Sequence, residues 1–108
     1  MSAAYTLTPD AEQDLAEIAH YTACQWGKPQ ALRYAALLGQ AFERIAEYPE
    51  AGTVVLSSPD EVRARRCEHH YVFYWNDPQD GRPVMLAVMH ERMDVITRLK
   101  ERLRSEDE

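Results

Sequence analysis

Apolar residues follow a helical rhythm through the first half of the chain and a strand rhythm through the second. Ala11, Leu15, Ile18, Ala19 and Thr22 recur at three-and-four spacing and give a first helix one narrow buried stripe. Ala31, Tyr34, Ala35, Leu38, Ala41, Phe42 and Ile45 line a fuller face of a second helix, which Pro49 ends. Start and stop signals frame both. Thr8 is a good N-cap, Pro9 fits the first turn, where its missing N–H costs nothing, and Asp10, Glu12 and Asp14 complement the positive end of the helix dipole. Gly27 supplies a left-handed stop and Pro29 sits where the next helix begins, so a tight helical hairpin is expected.

A short strand, Ala4 to Thr8, precedes the hairpin with Tyr5 and Leu7 on one face. Ser57 to Asp60 reads as a loop, after which the pattern changes to strands near Val62 to Cys67, Tyr71 to Trp75 and Val84 to His90. The Asp-Pro and Asp-Gly signals between Asn76 and Arg82 join the last two as a hairpin. Asp94 caps a final helix whose Ile96, Leu99 and Leu103 form a spare apolar edge. The order βααβββα predicts an α+β fold: an N-terminal strand and helical hairpin packed on one face of a small antiparallel sheet, with a short C-terminal helix.

With 108 residues and 45% hydrophobic content, one domain spanning 1–108 with a modest core is expected, able to fold alone. No apolar run approaches the ~20 residues of a membrane span and no leader opens the chain, which predicts a cytoplasmic protein with no membrane partner. Cys24 and Cys67 have no zinc spacing and read as reduced packing residues. A net charge of −6 argues against direct sequence-specific binding of nucleic acid. Charge is uneven, though: Val62 to Arg104 holds nine basic against six acidic residues, a local +3. The acidic tail, Glu106 to Glu108, is expected to fray.

An ordered series of residues runs through this pattern. Tyr5, Leu7, Thr8, Ala11, Asp14, Leu15, Tyr21, Thr22, Trp26, Gly27, Gln30 and Ala31 are followed by Pro49, Gly52, Arg63, Tyr71, Phe73, Tyr74, Val88, His90 and Asp94. The series spans about nine-tenths of the chain and resembles the ParE branch of the RelE/ParE toxin superfamily, the toxin halves of bacterial type II toxin–antitoxin pairs. The resemblance implies that fold, no cofactor, and a cognate antitoxin partner held on an apolar groove beside the hairpin and on a sheet edge. It also implies that DNA gyrase is the target, blocked by binding rather than by catalysis. The corresponding target surface falls on the positive half, with Arg63, Arg65, Arg92 and Arg98, extended by Arg102 and Arg104 on the final helix.

Two other readings bear on the same residues. A RelE-like ribosome-dependent mRNA endonuclease needs a base for the 2′-hydroxyl, charge on the phosphate and an acid for the leaving oxygen, and His90, Arg63 and Arg92 are the candidates for those parts. The lysine cluster of such nucleases is missing. The other is a non-toxic module that only binds an antitoxin. As for metal, none is expected: His69 and His70 are adjacent, so on a strand they point to opposite faces and do not join His90 in one site without a bulge. Tyr71, Phe73 and Trp75 share one strand face and Val72 and Tyr74 the other, which makes most of these aromatics core, with one or two at the rim.

Overall fold

Thr8 starts the first helix as its position predicts. In the computed structural model, which describes residues 4–107, its hydroxyl accepts from the Ala11 N–H at 3.1 Å and Pro9 occupies the first turn of α1 (Pro9–Trp26). Gly27 ends α1 at φ 95° and ψ 162°, an extended positive-φ conformation rather than the left-handed helical one expected. That geometry lets α2 (Lys28–Glu47) begin at the next residue, with Pro29 in its first turn. Tyr48 closes α2 through its N–H to the Arg44 carbonyl.

Five strands make one sheet in the order β1-β5-β4-β3-β2: β1 (Thr6–Leu7), β2 (Thr53–Leu56), β3 (Val62–Cys67), β4 (His70–Asn76) and β5 (Pro83–His90). Two features correct the expected sheet. Thr53–Leu56, which precedes the loop read at Ser57 to Asp60 and for which the pattern predicts no strand, is an edge strand paired antiparallel to β3. Only four residues long and irregular between Val54 and Leu56, it has too little alternation to announce itself. The sheet is also mixed, because β1 runs parallel to β5 while β2 to β5 form an antiparallel meander. Three reversals from β2 to β5 leave β5 running alongside the strand from which the chain set out.

Both faces are covered. Ala11, Leu38, Phe42 and Ile45 of the hairpin pack on Val72, Tyr74, Met85 and Val88. On the other side Val62, Ala64, Phe73, Leu86, Ala87 and Met89 pack around Leu99 of α3 (Val95–Asp107). The apolar edge of the last helix is therefore not spare: Leu99 is 0% exposed, and burying a leucine side chain is worth about 1.5–3 kcal/mol. Asp94 starts α3 as expected, its carboxylate accepting from the Thr97 N–H and hydroxyl. The strand aromatics divide as alternation predicts, with Tyr71 and Trp75 half-buried at the rim. No helix among the described residues is long and apolar enough to cross a membrane. The expected fraying of the acidic tail concerns Glu108 and the side chains of Glu106 and Asp107, which lie outside the described residues.

One ion pair ties three elements together. Arg102 on α3 donates to both carboxylate oxygens of Asp14 on α1, at 2.7 and 3.1 Å, and the Val88 N–H of β5 reaches the same carboxylate at 2.9 Å. At the other end of the sheet, Tyr74 anchors the loop after α2. Its hydroxyl donates to the Pro49 carbonyl at 2.9 Å and accepts from the Gly52 N–H at 3.1 Å. A Cβ on Gly52 collides with that hydroxyl. Tyr74→Phe is expected to lower stability by about 1–3 kcal/mol through the unpaired amide, and Gly52→Ala by about 1–3 kcal/mol through the clash, both read by thermal melts.

Candidate functional site

The narrow stripe of α1 leaves apolar surface uncovered beside it. Between α1, α2 and β1 lies a groove of about 240 Å³, walled by Leu7, Leu15, Ile18, Ala35 and Leu38 and floored by Phe42. Ile18, Thr22 and Tyr34 also line a larger cavity of about 710 Å³ at the end of the hairpin, so the two spaces adjoin. Tyr21 and Trp26 stand at this second cavity, 63% and 73% exposed. Aromatic rings this open to water are unusual on a free protein surface and common at interfaces.

Histidines line the same cavity. The expectation that His69 and His70 point apart is overturned, because β3 and β4 turn through Glu68 and His69 alone, with Glu68 at φ 53°. His69 is thus a turn residue, free of strand alternation. His70 pairs with His90 across β4 and β5, and the rings gather, His70 to His90 at 5.1 Å and His69 to His90 at 6.4 Å. Tyr34 of α2 meets His70 Nδ1 at 2.5 Å and accepts from the His69 N–H at 3.3 Å. Burial, and then the neighbouring His90 and His69, push His70 down to about 4, so it is neutral at pH 7. Burial likewise raises the Tyr34 hydroxyl. Glu91 is lowered, chiefly by its hydrogen bond from His69 and also by Arg66. Among the described residues no group of three or more His, Cys, Asp or Glu side chains is arranged to hold a metal ion.

The arginines do not form one surface. Arg63 donates to the Glu50 and Gly52 carbonyls at 2.7 and 2.8 Å and pairs with Glu61 at 2.7 Å, bracing the same loop that Tyr74 holds. Arg65, half-buried beside Arg44 and Glu47, faces a polar cleft between β3 and α2. Arg66 is paired with Glu91 and lies over the Tyr71 ring, and Arg102 is clamped to Asp14. Arg92 and Arg98 are exposed at the turn after β5 and on α3, on either side of Met93, which lines the cavity beside each. The structure therefore brings His90 and Arg92 together and keeps Arg63 away. Arg63 lies four residues along and two strands across from His90, about 17 Å in backbone terms, so the three nuclease candidates do not converge on one phosphate.

Tyr34 belongs to the site although its spacing marks it as core, and Trp26 and Tyr21 join it as well. The sequence signal for Tyr21 is that it falls off the apolar stripe of α1, whereas Trp26 continues that stripe one turn past Thr22 and is exposed there. Cys67 packs as expected, its thiol reaching the Leu37 carbonyl at 3.6 Å, whereas Cys24 is exposed on α1.

Comparison with known proteins agrees with this architecture. The chain is 44% identical over 106 residues to a protein named Toxin ParE from Escherichia coli, with 94% of this chain and 97% of that one covered. It is 34% identical over 95 residues to Toxin ParE1 of Mycobacterium tuberculosis, covering 88% of this chain and 96% of the relative. Among solved structures, a chain from "Chromosomal ParDE TA system from P. aeruginosa" superposes with a TM-score of 0.68 at 14% identity, covering 80% of this chain and 92% of the other, and shares its fold. The family model described as "ParE toxin of type II toxin-antitoxin system, parDE" matches residues 5–95. The chain belongs to the ParE toxin family of type II toxin–antitoxin systems.

Proposed function

We propose that this toxin acts in the cytoplasm by binding DNA gyrase and trapping its cleaved DNA intermediate, and that a cognate antitoxin silences it by lying in the groove of the helical hairpin. The observation that carries the antitoxin part is the uncovered apolar groove continuing into a cavity edged by Tyr21 and Trp26. An amphipathic helix gains most by burying its apolar side in such a groove, at roughly 25 cal/mol per Å² covered. The gyrase part rests on the family and on the exposed arginines. Arg92 and Arg98 have no ion pair among the described residues, which leaves them available to the phosphates or carboxylates of a target. Arg65 faces a separate cleft beside α2, and Arg63 contributes through the loop it braces.

Overproduction with and without the antitoxin tests the proposal. Filamentation and a DNA-damage response that the antitoxin suppresses are expected; translation arrest points to RNA cleavage, and normal growth to a module without toxicity. Arg92→Ala with Arg98→Ala is expected to raise the toxin concentration needed for half-inhibition about tenfold, or ~1.4 kcal/mol, with an unchanged melting temperature. Full toxicity in that double variant moves the target surface elsewhere.

A further inference from the structure

The histidine cavity has a polarity that the apolar groove does not explain. Tyr34 has one hydroxyl proton and its only acceptor among the described residues is His70 Nδ1, so Tyr34 donates and the His70 proton sits on Nε2. His90 Nδ1 accepts from the Arg92 N–H at 3.1 Å, which places the His90 proton on Nε2 in the same way. Neither Nε2 has a hydrogen-bond partner among the described residues. Two imidazole N–H groups are therefore left as donors in a cavity that Arg92 also lines. No carboxylate lines the cavity, and Glu91, next along the chain from His90, is engaged by His69 and Arg66. Two such donors in a cavity that also holds a guanidinium and no carboxylate are complementary to an anion.

We infer that the cavity is an anion pocket in which His70, His90 and Arg92 hold a carboxylate of the antitoxin segment that occupies the adjoining groove. The inference rests on the groove reading above. Continuity decides the occupant: the groove and the cavity share Ile18, Thr22 and Tyr34, so one elongated chain fills both, its apolar side on Leu15 and Ile18 and one Asp or Glu at the far end. A compact nucleotide explains the donors and the rings but leaves the groove empty. On this arrangement the antitoxin also covers Arg92, so that neutralising the toxin and hiding part of its target surface are the same event.

The test uses full-length antitoxin, obtained by co-expressing the neighbouring reading frame, titrated calorimetrically into this protein and its variants. His90→Phe and Arg92→Gln are each expected to weaken binding tenfold or more with little change in melting temperature, while His90→Gln, which restores an N–H donor, recovers part of the loss. An amide scan of the antitoxin's Asp and Glu residues is expected to find one position whose substitution adds nothing further in the His90→Phe background. Affinities within twofold of the parent, or no coupled acidic residue, overturn the anion pocket while Ile18→Glu still abolishes binding. Loss of neither interaction overturns the groove reading as well. Adenosine monophosphate binding that survives in the antitoxin complex and disappears in Arg92→Gln also overturns the inference, since it assigns the pocket to a nucleotide.

Discussion

Phe42→Ala is expected to cost about 3–5 kcal/mol, a large share of the roughly 5–15 kcal/mol that holds a domain of this size together. Phe42 is 2% exposed at the centre of the cluster between the hairpin and the sheet, with its ring 5.6 Å from that of Tyr5. Truncation removes the contacts that fix α2 on β4 and β5 and leaves a cavity the helix cannot collapse into, because Leu38 and Ile45 on either side are already fully packed. Urea unfolding reads the loss directly. Toxicity should fall with it, and should return on cooling if stability is the cause. A cost under about 1 kcal/mol places the core elsewhere.

Ile18→Glu is the counterpart on the surface. Ile18 is half-buried and lines both the groove and the histidine cavity, so in the free protein its replacement stays in contact with water. Beneath a docked antitoxin the same carboxylate is either desolvated against its apolar side or turned to the His70, His90 and Arg92 donors that the antitoxin's own acidic residue needs, and both outcomes oppose docking. Antitoxin affinity is expected to fall a hundredfold or more, about 2.7 kcal/mol, while the melting temperature of the free toxin moves little. Calorimetric titration beside thermal melts separates this from a folding defect. Unchanged affinity removes the groove from the antitoxin interface.

These two predictions draw on parts of the molecule that were unequally legible in the sequence. The hairpin was readable because its signals are local: Thr8 caps its own helix, Gly27 takes a conformation that side chains rarely adopt, and Pro29 fits a first turn. The edge strand Thr53–Leu56 was not, since its pairing with β3 comes from residues well along the chain and its composition carries no strong alternation. The histidine cluster was hidden by a single boundary. Counting His69 into the strand sends it to the wrong face, whereas a turn of Glu68 and His69 places it with His70 and His90. Arginine roles were the least legible. Nothing in the spacing of Arg63, Arg65 and Arg66 says that Arg63 reaches back to main-chain carbonyls at Glu50 and Gly52, or that Arg102 seeks out Asp14 across 88 positions of sequence. Those partners exist only once the tertiary fold is in place.

The central claim is that this protein is a gyrase-directed toxin silenced by an antitoxin, and a supercoiling assay with purified gyrase tests it most directly. The account predicts that the folded toxin inhibits supercoiling of relaxed plasmid and accumulates cleaved DNA, and that stoichiometric antitoxin abolishes both effects. Full supercoiling activity and no cleaved DNA at saturating, correctly folded toxin would contradict it.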